Sequence, residues 1–319
     1  MGFAGRCDPE VEAVLDAVPR LDLTDIPRAR EERERLAAAV RARWTPSGRV
    51  HTEDRWVPGW AGGVGGEAMV RVRVHRPLGE PTGAVLLWVH GGGHVLGAPE
   101  QDDPLLDGVV ARTGCVALAV DWRRAPEHPY PAAVHDTYAV LAALGGGLPG
   151  VDHDPGRVVV GGASSGGGVA AGVALLARDR GEHQLAGQLL IYPMLDDREL
   201  TVSSRAVTDP RVWNHESNRA GWSAYLGELA GGDVPPYAAP ARATDLAGLP
   251  PTWLATAELD LFRDEDVDYA RRLLEAGVPT ELHVYPGGVH GFDLFAPEAA
   301  LTRRFCRDRD EAFDRFLHR

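Results

Sequence analysis

The sequence predicts an α/β protein with a mostly parallel, doubly wound sheet. Continuous apolar runs, which are typical of parallel strands buried on both faces, occur at residues 84–90, 115–122 and 186–192. The run at 157–162 leads directly into a helical pattern at 164–181. Because strands that alternate with helices are joined by right-handed crossovers, this order predicts neighbouring parallel strands.

The remaining elements extend the same alternation. Period-two alternation at 68–77 predicts an exposed early strand, and apolar runs at 251–257 and 280–285 predict two later strands. Helical patterns occupy the segments between and around the strands, at 28–44, 102–113, 130–144, 264–276 and 298–317.

Two segments do not fit the alternation and define the expected domain organisation. Residues 1–50 form an N-terminal appendage with a charged helix, and residues 196–250 form a turn-rich insertion between two parts of the core, 51–195 and 251–319. The insertion contains four large aromatic residues, Trp213, Trp222, Tyr225 and Tyr237. These residues suit a lid over a pocket, although packing of a small subdomain explains them equally well.

Composition excludes several classes of function. The 319 residues are 44% hydrophobic and 25% charged, an ordinary globular mixture. The net charge of −13 disfavours nucleic acid and anionic lipid as partners. All 33 basic residues are arginines, which excludes a P-loop, a pyridoxal phosphate Schiff base and a Ser-Lys dyad.

Cysteine usage and hydropathy indicate a cytoplasmic protein. The three cysteines, Cys7, Cys115 and Cys306, form no CxxC pair, so neither a disulfide framework nor a zinc site is expected. The N-terminus lacks a secretory signal pattern, and no stretch of about 18 apolar residues predicts membrane insertion.

The strongest local motif is a GxSxG sequence at Gly162–Gly166. It lies where a predicted strand meets a predicted helix, which is the context that a nucleophile elbow requires. Small residues on both sides of Ser164 allow the tight turn that exposes its hydroxyl above the sheet. Ser164 is therefore the candidate nucleophile.

An alternative interpretation of this segment is a dinucleotide-binding loop, because Gly166–Ala171 matches GxGxxA. It is the weaker interpretation, since Gly166 lies several residues beyond the end of the strand and no acidic residue follows at the usual distance. A second match, Gly63–Ala68, precedes a strand instead of a helix and is interpreted as a loop.

Further polar residues follow the predicted strands. Three glycines, Gly91–Gly93, come after a buried strand and His90, so their backbone N–H groups could stabilise an oxyanion. Asp260 follows the strand at 251–257, and His290 follows the strand at 280–285. The chain order Ser, Asp, His is the order expected for a triad on a sheet of this type.

Together these motifs resemble the hormone-sensitive-lipase-like branch of the α/β-hydrolase esterases, a resemblance that covers roughly residues 50–319. It rests on His90-Gly91-Gly92-Gly93, on the sequence DWRRAPEHP at 121–129, on Gly162–Gly167, on Tyr192-Pro193, on Asp260 with Arg263-Asp264-Glu265, and on His290-Gly291-Phe292. Ala163 and Ser165 depart from the branch's usual elbow, and His94 stands where an aromatic residue usually follows the glycines.

The resemblance implies an α/β-hydrolase fold in which residues 1–50 and 196–250 form a helical cap. Ser164 is then the nucleophile, His290 the general base and acid, and Asp260 the residue that orients His290. The amides of Gly92, Gly93 and Ser165 form the oxyanion hole. His94, Tyr192, Trp213 and Trp222 are expected in the substrate pocket.

Some residues near these motifs are expected to have structural roles. His90, Arg123 and Glu127 are interpreted as scaffold. His90 and His94 have a spacing of four, but three glycines between them disfavour a helix, so no metal is expected. The resemblance also implies that a homodimer can form through an exposed edge strand, for which 280–285 is the candidate.

The predicted function is that of a serine carboxylesterase acting on small, short-acyl esters through an acyl-enzyme, without a cofactor. Lactones, carbamates and amides are alternative substrates for the same triad. A non-catalytic small-molecule receptor on the same fold and a nucleotide-binding oxidoreductase are the alternatives from other classes.

Overall fold

The computed structural model describes residues 5–60, 62, 68–148 and 150–318. Its strands are β1 (Val50–Pro58), β2 (Met69–Pro77), β3 (Val85–Val89), β4 (Val116–Asp121), β5 (Val158–Ala163), β6 (Gly187–Ile191), β7 (Thr252–Ala257) and β8 (Thr280–Tyr285). Its helices are α1 (Pro9–Leu15), α2 (Ile26–Arg43), α3 (Asp103–Thr113), α4 (Ala132–Gly145), α5 (Ser165–Arg180), α6 (Val202–Ala206), α7 (His215–Leu226), α8 (Arg263–Glu275), α9 (Phe292–Phe295) and α10 (Ala300–Leu317).

The strands form one sheet in the order β1-β2-β4-β3-β5-β6-β7-β8. β1 pairs antiparallel with β2, and β2 pairs antiparallel with β4, whereas the remaining neighbours are parallel. The predicted mostly parallel sheet is therefore confirmed. The helices predicted between the strands are also present, within a few residues of the expected bounds.

The continuous apolar runs form the centre of the sheet. Every residue of β3, β6 and β7 is buried, as their sequences predict for strands covered on both faces. In the sheet, β4 lies on one side of β3 and β5 lies on the other. The β3–β4 and β4–β5 connections therefore run in opposite directions across the sheet. Since crossovers are right-handed, helices α3 and α4 cover opposite faces.

Sequence patterns missed the first strand and the first helix. Val57 is the one buried residue of β1, and positions 51–55 are all polar, so the strand shows neither an apolar run nor a clear alternation. Its position at the edge of the sheet explains this, because an edge strand can remain accessible along its length. Helix α1 is short and begins directly after the N-cap residue Asp8, whose side chain accepts a hydrogen bond from Glu10 N–H.

The two segments outside the alternation both lie near the loops that follow the strands. Arg30 of α2 hydrogen-bonds the carbonyls of Val95 and Ala125, which attaches the N-terminal segment to the loops after β3 and β4. Residues 196–250 contain α6 and α7 in place of a single crossover helix. No helix within the described ranges is both long and apolar enough to span a bilayer.

Candidate active site

Ser164 lies in a sharp turn between β5 and α5. Its backbone has φ 56° and ψ −126°, a conformation that non-glycine residues rarely adopt. The turn is held by a 2.9 Å hydrogen bond from Ser164 N–H to the carbonyl of Ile191 on β6. The strained backbone places the serine at the carboxyl end of the sheet, directly before a helix N-terminus, as a nucleophile elbow requires.

Close backbone contacts explain the glycines around Ser164. A Cβ at Gly162 would lie 2.4 Å from the carbonyl oxygen of Gly166, and a Cβ at Gly166 would lie 2.1 Å from that of Val89. Gly166, Gly167 and Gly168 belong to the first turns of α5, not to a loop. The alternative of a dinucleotide-binding loop is therefore not supported here, and most of the second match, 63–67, lies outside the described residues.

Two further strands bring Asp260 and His290 to Ser164. Asp260 follows β7, and His290 follows β8. His290 Nε2 lies 3.0 Å from Ser164 Oγ, and His290 Nδ1 lies 2.7 Å from Asp260 Oδ2. Asp260 Oδ1 accepts a hydrogen bond from Phe262 N–H at 3.0 Å, which fixes the carboxylate. The three side chains thus form one continuous hydrogen-bonded chain.

The glycine loop after β3 passes beside Ser164. Gly92 and Gly93 have positive φ values of 145° and 58°, and a Cβ on either would overlap a neighbour. The neighbour of Gly93 is the Trp213 ring, 2.0 Å from the Cβ position. Among the described residues, no acceptor binds the amides of Gly92, Gly93 or Ser165. These N–H groups are therefore free to bind an external oxygen.

A cavity of about 200 Å³ opens beside Ser164. Ser164, His290, Gly92 and Gly93 line it together with residues from α2, the loop after β3 and helix α9. Apolar side chains supply much of the remaining wall, including Leu21, Val40, Leu96, Leu105, Ile191 and Phe295. A small, mostly apolar cavity that contains a few polar groups is typical of a small-molecule site.

The structure divides the four expected pocket residues into two pairs. Tyr192 and Trp213 line the cavity. His94 and Trp222 are not among the lining residues, and the His94 ring instead stacks on Tyr225 and contacts Trp222. His94 has a positive φ of 66°, so the chain turns after the glycines and its side chain packs within the protein.

The cavity also contains charged side chains that sequence analysis did not assign to it. They are Arg33 of α2, Asp102 before α3, Asp293 of α9 and Arg309 of α10. Asp293 accepts a 2.9 Å hydrogen bond from Tyr192 Oη. Burial raises the pKa of Asp102 to about 6, although Trp88 Nε1 donates a 2.7 Å hydrogen bond to its carboxylate. In the sequence, the one indication that Asp102 lies at the cavity is its position after the apolar run at 84–90 and the glycine-rich loop that follows.

The residues interpreted as scaffold make contacts within the protein. His90 stacks on Trp122 with ring centroids 4.8 Å apart, and burial lowers the pKa of His90 to about 4. Arg123 forms an ion pair with Asp136 at 2.7 Å. Glu127 pairs with Arg30 at 2.7 Å, which also attaches helix α2 to the loop after β4. No group of three metal-binding side chains occurs in the described part of the chain.

Comparison with known proteins gives a consistent result. The profile of a family described as having the alpha/beta hydrolase fold matches residues 86–294. Esterase LipI of Mycobacterium tuberculosis is 37% identical over 294 residues, which cover 91% of this chain and 88% of that protein. Carboxylesterase NlhH of the same organism is 34% identical over 91% of this chain and 89% of its own length.

Solved structures agree over nearly the whole chain. A bacterial heroin esterase superposes with a TM-score of 0.93 at 41% identity and covers 98% of both chains. Esterase LipW from Mycobacterium marinum superposes with a TM-score of 0.85 at 37% identity, over 98% of this chain and 97% of its own. Similarity at this level extends to the N-terminal segment and to residues 196–250.

Proposed function

Since the chain belongs to the hormone-sensitive-lipase-like branch of the α/β-hydrolase family and is a carboxylic ester hydrolase, we propose that Ser164, His290 and Asp260 are its catalytic triad. The continuous hydrogen-bonded chain from Asp260 through His290 to Ser164 is the observation that supports this proposal. It ends at the serine hydroxyl inside the cavity. The proposed substrates are small esters with short acyl chains.

In the first step, Ser164 Oγ attacks the ester carbonyl carbon and its proton passes to His290 Nε2. The hydrogen bond to Asp260 requires the proton on Nδ1, which leaves Nε2 free to accept. When the tetrahedral intermediate collapses, the ester C–O bond breaks and the alcohol oxygen takes the proton from His290. The acyl group remains bonded to Ser164.

The negative charge of the intermediate needs donors that are already in place. We assign this role to the amides of Gly92, Gly93 and Ser165, which have no other acceptor among the described residues. Ser165 is the first residue of α5, so the helix N-terminus adds a favourable partial positive charge. Backbone donors fixed before the reaction stabilise the intermediate without reorganisation.

Water then hydrolyses the acyl-enzyme with the help of the same catalytic groups. It attacks the acyl carbonyl while His290 Nε2 takes its proton, and the second intermediate releases the acid and restores the Ser164 hydroxyl. The half-buried His290 lies at the cavity wall, where a water molecule can replace the departed alcohol. Asp260, which is fully buried, stabilises the imidazolium in both steps.

The size of the cavity supports the preference for short acyl chains. Its volume of about 200 Å³ is below the range of roughly 300–1,000 Å³ that is usual for drug-sized ligands. We propose that the N-terminal helices and residues 196–250 form the cap that limits this space, because Leu21, Val40 and Trp213 belong to these two segments. Butyryl esters are expected to be hydrolysed faster than decanoyl esters.

The test compares hydrolysis of p-nitrophenyl acetate, butyrate and decanoate by the wild type and by Ser164→Ala. A fluorophosphonate probe should label Ser164, as mapped by mass spectrometry, and the variant should lose both labelling and turnover. Ser223→Ala, at an exposed position of α7, is the matched control and should behave as the wild type. Turnover that persists in Ser164→Ala would refute the assignment, and faster decanoate hydrolysis would refute the chain-length preference.

A further inference from the structure

Arg33 introduces a positive charge into the catalytic cavity without a matching partner. Its side chain lines the cavity that contains Ser164, and its Nε atom is buried without a hydrogen bond. Within the described part of the chain, no carboxylate lies within ion-pair distance of Arg33. Burial lowers the pKa of Arg33, yet a guanidinium keeps its proton in proteins. A charge that is partly removed from water in this way is unfavourable until an anion binds it.

The other charged residues of the cavity are already hydrogen-bonded. Asp102 accepts from Trp88 Nε1, Asp293 accepts from Tyr192 Oη, and Arg309 binds Asp310 at 3.0 Å. Asp102 is close enough to attract Arg33 electrostatically, but not close enough for an ion pair. Among the described charges of this cavity, Arg33 is therefore the one whose side chain makes no hydrogen bond within the described residues.

A second cavity adjoins the first and has a basic wall. It measures about 460 Å³ and shares Arg33 and Gln101 with the catalytic cavity. Its wall also contains four arginines and two glutamates, namely Arg30, Arg41, Arg71, Arg124, Glu34 and Glu100. Arg30, Arg71 and Arg124 are paired with carboxylates. Arg33 and Arg41 form no ion pair among the described residues, so they favour the approach of an anion locally, although the net charge of the protein is −13.

We propose that Arg33 binds the carboxylate of an anionic ester, so that the substrates include monoesters of short dicarboxylic acids. The ester group lies at Ser164 and the free carboxylate lies at the Arg33 guanidinium. This inference rests on the proposed function, because it assigns a substrate class to the same cavity. Arginine is suited to the role, since its planar group donates two parallel hydrogen bonds to a carboxylate.

The first experiment compares two esters that differ only in charge. Monoethyl succinate carries the carboxylate, and ethyl 4-methylpentanoate carries an isopropyl group in its place. Hydrolysis is followed by acid release at constant pH 8. The wild type is expected to show the higher kcat/KM for monoethyl succinate. Arg33→Met should lower the ratio of the two kcat/KM values about 10- to 100-fold, which is typical of losing a hydrogen bond to a charged group.

Two variants separate the charge of Arg33 from a structural role. Arg33→Lys keeps the charge and should retain part of the preference, although it loses the paired geometry. Arg35→Met changes an exposed arginine on the same helix and should keep the wild-type ratio. A ratio that does not change in Arg33→Met, or a wild type that prefers the uncharged ester, would overturn the proposal.

Binding provides a readout that does not depend on turnover. Ser164→Ala should bind monoethyl succinate in a calorimetric titration, and adding Arg33→Met should raise the Kd at least tenfold. An unchanged Kd, or no binding to Ser164→Ala, would also overturn the assignment. If the wild type hydrolysed no ester but this Arg33-dependent binding were observed, the proposed function would fail while the role of Arg33 would stand.

Discussion

The imidazole of His94 lies flat against the phenol ring of Tyr225, with ring centroids 3.8 Å apart and ring planes 6° from parallel. Neither ring nitrogen of His94 has a hydrogen-bond partner among the described residues. Burial lowers the pKa of His94 to about 3, so the imidazole is neutral in the folded protein. The side chain therefore contributes as an aromatic ring within the core.

His94→Phe is expected to reduce the loss of stability in acid. The pKa of His94 is about 3 in the folded protein and about 6.5 in the unfolded chain, so the unfolded chain binds the extra proton as the pH falls below 6.5. At pH 5 this effect destabilises the wild type by about 2 kcal/mol relative to pH 7.5. Urea unfolding measures the free energy of unfolding at pH 7.5 and at pH 5. Its decrease between the two pH values should be smaller by this amount in the variant.

The exposed residue His128 provides the control for this measurement. His128→Gln should keep the wild-type difference in stability between the two pH values. The buried residues His75 and His90 remain in every variant, and burial lowers the pKa of each to about 4, so part of the acid sensitivity should persist. An equal loss of stability in His94→Phe and the wild type would contradict the prediction.

Asp260→Asn is expected to lower kcat about 10⁴-fold while the protein stays folded. The amide would stabilise the wrong tautomer of His290 and could not stabilise the imidazolium. Steady-state hydrolysis of p-nitrophenyl butyrate, with circular dichroism to monitor folding, measures the effect. Asp268→Asn removes an exposed carboxylate on α8 and should leave kcat unchanged. A loss of less than tenfold in Asp260→Asn would argue against Asp260 as the orienting residue.

Gly93→Ala should impair both stability and catalysis. Its Cβ would lie 2.0 Å from the Trp213 ring at a φ of 58°, so the loop must move and the amide of residue 93 with it. Loss of one oxyanion donor typically lowers kcat by about 10²- to 10³-fold. Enzyme kinetics and thermal unfolding check the two effects.

Gly108→Ala is the contrasting variant. Gly108 lies inside α3, and a Cβ there meets no atom within 4 Å. Alanine should therefore stabilise the helix by about 0.5–1 kcal/mol and leave kcat unchanged. Equal effects of the two glycine substitutions would show that the contact with Trp213 does not constrain the loop.

Asp102 is expected to make the preference for monoethyl succinate depend on pH. With a pKa of about 6, its carboxylate is ionised at pH 8 and partly offsets the charge of Arg33, whereas protonation below pH 6 removes that offset. The kcat/KM ratio of the charged to the uncharged ester should therefore rise as the pH falls from 8 to 5.5. Any change of rate that is common to both esters cancels in the ratio.

Asp102→Asn tests this assignment. Its ratio should be higher than that of the wild type at pH 8 and should change less with pH. Asp293, which also borders the cavity and has a pKa raised by burial, is unchanged in this variant. Arg309 keeps its charge over this range. A wild-type ratio that is constant or falls towards pH 5.5 would contradict the role of Asp102.

The meeting of Ser164, Asp260 and His290 at one site could be predicted because each residue follows a strand with a strong pattern. Ser164, Asp260 and His290 come after β5, β7 and β8, and the carboxyl ends of parallel strands meet at one edge of the sheet. The polar edge strand β1 lacked such a pattern.

The charged wall of the cavity could not be predicted in the same way. Helix α2 contains six arginines, and which of them reaches the cavity depends on how the helix packs against the loop after β3. The placement of His94 likewise follows from the positive φ at that position. Both properties arise from tertiary contacts instead of local periodicity.

The contact between Gly93 and Trp213 joins the glycine loop after β3 to residues 196–250. Gly221 of α7 strengthens this connection, since a Cβ there would lie 2.7 Å from the carbonyl oxygen of Gly93. In a chimaera that receives residues 196–250 from a relative, the residues that contact the glycine loop after β3 would therefore also come from that relative. Grafts that keep an indole at 213 and a glycine at 221 should remain active, so the substrate range of this scaffold can diversify most freely at the other positions of the segment.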